Sequence, residues 1–180
     1  MTALNELLEK IRTSAPDGAI IPGFDPLNGN ESAKFLLLLE APGPRAATPT
    51  GGYVSFDNQD PTARNLKSQL EEADISRSDI VIWNVVPWYI GEKDQSKIRS
   101  AKSSDINSAL QHLDNLIKAL KKIECVVLVG GAARKAHIHL SFSTNLRILS
   151  CHHPSAKVRN SNPASHAENV MVFKAMKTRP

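Results

Sequence analysis

Cysteine is scarce. Cys125 and Cys151 are the only two in 180 residues, too few for a four-thiolate cluster or a zinc ribbon, and no CxxC occurs. Both sit at the margins of apolar segments and read as reduced packing residues. Long apolar runs are missing as well. Even a run as long as residues 35–39 is far shorter than the roughly 20 residues a membrane-spanning helix needs. The first dozen residues carry acids and no extended apolar core, so a secretory signal is not expected there. There is no GxGxxG, no Gly-Lys-Ser/Thr and no GxSxG, so dinucleotide, P-loop and nucleophile-elbow sites lack support; Gly130-Gly131 fits none of these patterns, and Ser155 and Cys151 have no nucleophile setting. Repeats and low-complexity tracts are absent. Aromatic content is low, and the composition is otherwise that of a globular chain. Its length suits one domain, residues 1–180, with a core large enough to need neither disulfides nor a structural metal. The expectation is a soluble, cytoplasmic monomer without cofactor or metal.

What is present is first a charge imbalance. From residue 125 to the end, eight Lys and Arg face Glu168 alone, a balance of +7 that leaves −3 for the first 124 residues. A basic C-terminal third suits a polyanion partner, and equally a merely solvated basic face.

Hydrophobic spacing then orders the chain. Leu4, Leu7, Leu8 and Ile11 recur at helical intervals. Residues 16–30 read as a loop, 34–39 as a buried strand stopped by Pro42-Gly43-Pro44, and 46–61 as a long irregular segment. A helix is expected over 62–73 with Leu66 and Leu70 inside, a second strand over 79–83, and a polar loop over 90–103. Asp105 is read as the cap of a helix whose stripe is Ala109, Leu110, Leu113, Leu116, Ile117 and Leu120. Residues 125–129 form a third strand, followed by a short helix through Ala136, and 146–149 a fourth. A polar loop spans 154–165, and a closing helix over 163–176 carries Val170, Phe173 and Met176. Strands alternating with helices imply a parallel sheet with helices on both faces, an α/β architecture.

Three polar groups fall where strands end: Glu40 in Leu39-Glu40-Ala41-Pro42-Gly43, Asn84 in Trp83-Asn84-Val85-Val86-Pro87-Trp88, and His153 in His153-Pro154-Ser155. Strand ends of an open α/β sheet share one edge, where ligands bind. A carboxylate there can hold a water or stabilise a developing cation, although a solvated strand-end acid has the same sequence signature. The Asn84 amide, with one acceptor and two donors, matches the edge of a nucleobase, or stabilises a turn. His153 can donate to an oxygen gaining charge. Ser155, Lys157, Arg159 and Asn160 offer phosphate-binding chemistry on the following segment. Phe56, in the irregular segment, either stacks on a flat ligand or pins its loop to the core. His152-His153 and the pair His137 and His139 have poor metal-ligand spacing, and the latter two are read as surface or packing residues.

Taken in order, Glu40-Ala41-Pro42-Gly43, Phe56, Asn84-Val85-Val86-Pro87 and His153-Pro154-Ser155 resemble the uracil-DNA glycosylase superfamily, over residues from about 35 to the C-terminal helix. The opening motif is most similar to the Glu-Ala-Pro-Gly form of the iron–sulfur branch, whose four cysteine ligands this chain does not have. The resemblance implies a three-layer α/β/α sandwich around a four-stranded, mainly parallel sheet. It implies hydrolysis of an N-glycosidic bond in DNA after the nucleotide is flipped out. By position, Glu40 would hold or activate water, Ala41 and Phe56 would hold the base, and Asn84 would read its edge. His153 would stabilise the departing base, Ser155 would meet a flanking phosphate, and residues 156–163 would press into the duplex. Departures are Leu39 where the family usually has Gly, Ala41 at the position of the commonest uracil enzymes' aspartate, and Gly43 in place of an aromatic that blocks thymine's methyl group. Trp88 and Tyr89 add bulk that would rebuild a pocket wall or contact the strand. The expected substrate is therefore uracil or another altered base. Alternatives are a bulky modified pyrimidine of foreign DNA, or a DNA-binding protein without turnover or with covalent trapping through a His of residues 152–166.

Overall fold

A computed structural model describes residues 2–48, 51–92 and 94–178. Four parallel strands make the central sheet: β2 (Phe35–Leu39), β4 (Ile80–Asn84), β5 (Cys125–Val129) and β6 (Arg147–Cys151), in the order β4-β2-β5-β6. Leu36, Leu37, Leu38 and Val126 to Val129 are fully buried. A parallel sheet covered on both faces requires such continuous apolar runs, which is why these strands stand out in the sequence. The helices are α1 (Ala3–Ser14), α2 (Pro61–Glu72), α3 (Ser103–Ala119), α4 (Gly131–Arg134), α5 (His137–Ser143), α6 (Ala156–Ser161) and α7 (Ser165–Met176). α1 packs on α3, and α2 on α7. The result is the expected α/β/α sandwich. β2 has β4 on one side and β5 on the other, so the chain reverses its direction of travel across the sheet at β2. That reversal opens a crevice at the strands' carboxyl ends.

Several elements differ from the sequence expectation. Residues 16–30 and 46–61, read as loops, each contribute two residues to a small parallel sheet, β1 (Gly23–Phe24) with β3 (Tyr53–Val54). Two residues are too short for periodicity to reveal. Phe24 stacks on Trp83, with ring centroids 3.8 Å apart, which fastens this small sheet to β4. Residues 49 and 50 of the irregular segment lie outside the described residues. α3 begins at Ser103 rather than after Asp105. Asp105 stands in its first turn, where its carboxylate accepts from the Lys102 N–H at 2.7 Å. α5 was not expected, because only Leu140 of its seven residues is buried and no stripe emerges. α6 occupies part of the expected loop 154–165; the Ser155 hydroxyl caps it by accepting from the Val158 N–H at 3.3 Å. His137 is exposed, and His139 Nε2 meets Asp114 Oδ1 at 2.7 Å. No helix among the described residues is long and apolar enough to cross a membrane.

Candidate active site

The site begins with strand register. Leu39 and Asn84 are partners at the ends of β2 and β4. Pairing continues beyond them, with the Val85 N–H donating to the Leu39 carbonyl at 2.8 Å and the Val86 N–H to the Glu40 carbonyl at 3.0 Å. The backbones carrying Glu40 and Asn84 are therefore held side by side. A cavity of about 620 Å³ opens at this sheet edge, lined by Glu40, Ala41, Asn84 and His153, within the size range of small-molecule sites. Asn84 is 3% exposed, and its Nδ2 is buried with no hydrogen-bond partner. Buried amide donors are normally satisfied, and leaving one unpaired costs about 1–3 kcal/mol. An unpaired donor on a cavity wall is complementary to a carbonyl acceptor on a guest.

His153 follows β6 and reaches the cavity across Gly130, the residue after β5. Gly130 has φ +88°, and a Cβ there would lie 2.9 Å from the His153 Cβ. Only glycine both adopts that backbone and leaves the space. The preceding residue is fixed by α7: the buried Asn169 side chain accepts from the His152 N–H at 2.8 Å and donates to the His152 carbonyl at 3.0 Å and to Gln69 at 3.1 Å. Burial pushes the His153 imidazole below its ordinary pKa, against the opposing pull of the Glu40 and Asp60 carboxylates. The neutral ring is thereby favoured at neutral pH, with one N–H to donate.

Three further elements close the walls. The N-terminus of α2 contributes Asp60, Pro61 and Thr62. Asp60 caps the helix by accepting from the Ala63 N–H at 2.9 Å, and the positive end of the helix dipole points toward the cavity rim, favouring anionic groups. Residues Ile98, Arg99 and Ser100 form the second wall. Next to them the Ala101 N–H donates to Glu40 Oε1 at 2.5 Å. This segment is tethered by a Gly91–Ile98 bridge, by the Tyr89 hydroxyl donating to the Lys97 carbonyl at 3.2 Å, and by Gln95 donating to the Ala47 carbonyl. The third wall is the turn at Gly43, where an added Cβ would meet nothing within 4 Å.

Other sequence candidates lie elsewhere. Phe56 is buried and does not line the cavity. The Arg77 guanidinium covers its ring at 4.5 Å. Arg77 also bonds Asp25 at 2.5 Å, Asp57 at 2.6 Å and Asn28 at 3.1 Å. Of the two sequence readings for Phe56, the pinned loop matches this placement, and the adjacent Val54, Ser55 and Asn58 line the cavity instead. Trp88 and Tyr89 are buried outside the lining. Ser155, Lys157, Arg159 and Asn160 stand on or next to α6, outside the cavity, with the last three exposed. Arg159 reaches Asn65 Oδ1 at 3.2 Å, and Asn65 in turn donates to the Pro154 carbonyl at 2.8 Å. Sequence reasoning missed Asp60, Ala101 and Asn169. Of these, Asp60 had a signal in the Asp-Pro pair opening a helix.

Cys125 and Cys151 do not fit an iron–sulfur cluster. They occupy opposite ends of neighbouring strands, four register positions apart, or roughly 13 Å at the rise of a strand. Among the described residues, no group of three His, Cys, Asp or Glu is placed to hold a metal.

The fold and the convergent strand-end groups define an α/β/α protein with a cavity at the reversal of its sheet. Comparison with family models gives that class a name: residues 26–176 match the uracil DNA glycosylase superfamily, and the chain belongs to it. Among solved structures it is similar to a Methanosarcina acetivorans protein, provisionally named a uracil DNA glycosylase and solved by NMR. That match has 16% identity and a TM-score of 0.52, covering 84% of this chain and 94% of that one. A wild-type UNG from Nitratifractor salsuginis is also similar, at 16% identity and TM-score 0.49, over 97% and 86% of the two chains. No curated protein sequence matches this chain.

Proposed function

We propose that this chain is a DNA glycosylase that hydrolyses the bond between deoxyribose and an altered base, uracil or a bulkier derivative, turned out of DNA into the cavity. The observation that carries this reading is the buried, unpartnered Asn84 Nδ2 in a cavity shared with Glu40 and His153. A pyrimidine carbonyl would supply the missing acceptor. As the glycosidic bond breaks, its electron pair leaves with the base and cationic character develops on the sugar. The neutral His153 donates a hydrogen bond to the departing anion, while the Glu40 carboxylate stabilises the sugar and orients a water. The water oxygen bonds to the anomeric carbon, and its proton passes to Glu40 or to solvent. The Ala41 backbone borders the base. Flipping costs a few kcal/mol, which contacts from Ser155, Lys157, Arg159 and Asn160 to the DNA backbone offset, with α6 pressed into the vacated duplex. The basic C-terminal third makes that binding salt-sensitive.

The open space at Gly43 supports the bulkier base as the second reading, since a Cβ added on this wall of the cavity would meet nothing within 4 Å and room is left there for a substituent on the base. A strand-cleavage screen for abasic product decides, using oligonucleotides that contain uracil, deaminated purines or large 5-substituted pyrimidines. Glu40→Gln and Asn84→Ala are expected to cut excision strongly with DNA binding nearly intact; full activity in both would remove the site assignment. Gly43→Tyr is expected to abolish excision of the large pyrimidine while sparing uracil, and excision of uracil alone by the wild type would remove the bulky-base reading. Salt-sensitive binding without product at any enzyme excess would instead mark a binding protein.

A further inference from the structure

We infer that Arg99 and Asp105 form a positioning clamp that aims the Ala101 N–H at Glu40, fixing which carboxylate oxygen faces the reacting centre. This rests on the reading of Glu40 as the water-orienting carboxylate. A strand-end glutamate left to itself can rotate its two equivalent oxygens and populate several rotamers. Here Oε1 is taken by the Ala101 N–H at 2.5 Å, so one oxygen is committed and the other is left for a water or the sugar.

The donor is a backbone group, so its direction depends on what holds residues 99–102. The Arg99 N–H donates to the Ile90 carbonyl at 3.0 Å. Its guanidinium makes a two-point contact with Asp105, Nη1 to Oδ2 at 2.7 Å and Nη2 to Oδ1 at 2.9 Å, and Nη1 also reaches the Ser100 carbonyl at 3.1 Å. The Lys102 N–H bonds the same Asp105 at 2.7 Å. Ala101, between them, is buried. Arg99, Ala101 and Lys102 are thus tied to Ile90, to the first turn of α3, to Glu40 or to the core, and Ser100 is held by the Arg99 guanidinium. Arg99, followed by the Lys102 N–H, holds the Asp105 carboxyl down at about 2, so the clamp keeps its charge across the neutral range. Asp105 does not line the cavity and therefore acts only through this segment.

The test uses Asp105→Asn and Arg99→Met in the full chain, alone and combined with Glu40→Gln, under single-turnover conditions. The clamp predicts that the single-turnover rate at saturating enzyme falls about tenfold to a hundredfold in each single variant, the scale of a modest misplacement of a reacting group, with half-saturation near wild type in Asp105→Asn, whose side chain lies outside the cavity. It predicts no further fall in the Glu40→Gln background, because both changes act through the same carboxylate. In a ¹H–¹⁵N spectrum, the Ala101 amide proton moves upfield and exchanges faster in both clamp variants. Weaker half-saturation with an unchanged saturating rate in Asp105→Asn, an equal fall in the Glu40→Gln background, or an unmoved Ala101 amide overturns the inference. If the wild type excises no base at all, the glycosylase reading fails, while the Ala101 amide still reports separately on the clamp.

Discussion

Replacing Gly130 with Ala tests the contact between the turn after β5 and His153. The backbone there has φ +88° and ψ 171°, a region that non-glycine residues enter at a cost of about 1–3 kcal/mol. The added methyl would lie 2.9 Å from the His153 Cβ and 3.2 Å from Cδ2, whereas carbon atoms prefer about 3.5–4.0 Å. The imidazole must therefore retreat by roughly half an ångström, since the obstacle on the other side is backbone. Taking about 2 kcal/mol for the strain, Tm should fall by about 4–8 °C for a domain of this size. With a typical stability of 5–15 kcal/mol, the variant stays more than about 99% folded at 25 °C. Excision measured there should drop about tenfold, given that a 1 Å misplacement costs about a hundredfold. Thermal unfolding by circular dichroism and single-turnover cleavage supply the two readings. A Tm within a degree of wild type would refute the backbone argument. A lowered Tm with unchanged excision would separate His153 from the chemistry.

Arg77→Met should lower stability by about 3 kcal/mol in urea titration, because Asp25, 5% exposed, loses its cation; an unchanged midpoint would show that Asp25 is satisfied without it. Burial lowers the pKa of both His112 and His153, so the unfolded chain takes up protons first. Stability should therefore decline as pH falls from about 7 through the ordinary histidine range near 6.5, then level off below the folded values. His112→Gln should flatten part of that slope in pH-dependent urea unfolding, and an identical slope would count against it. Burial pushes the Cys151 thiol up to about 12 and raises that of Cys125. Neither should react with a disulfide reagent at pH 8 until guanidinium unfolds the chain, and rapid native labelling would contradict their placement.

Much of the frame was legible because burial on both faces writes parallel strands as unbroken apolar segments such as Phe35 to Leu39 and Cys125 to Val129. The same reading put Glu40, Asn84 and His153 at strand ends, and topology alone then brings strand ends together. What escaped did so for several reasons. β1, β3, α5 and α6 are too short or too polar to leave a periodic trace. The Ala101 N–H on Glu40 is a backbone group, and every residue but proline carries one, so no residue type announces it. Phe56 illustrates a third difficulty. A lone aromatic in a loop signals burial or ligand stacking equally, and only the position of Arg77 over its ring, beyond an intervening helix, separates them.

The locked ladder at the ends of β2 and β4 has a consequence for how such a protein diversifies. Glu40 and Asn84 take their spacing from hydrogen bonds between rigid strands, while the surrounding rim belongs to connecting turns. Mutation can lengthen, shorten or recolour that rim with little disturbance to those two residues. New guests become accessible to an old scaffold by editing its mouth and leaving its floor intact.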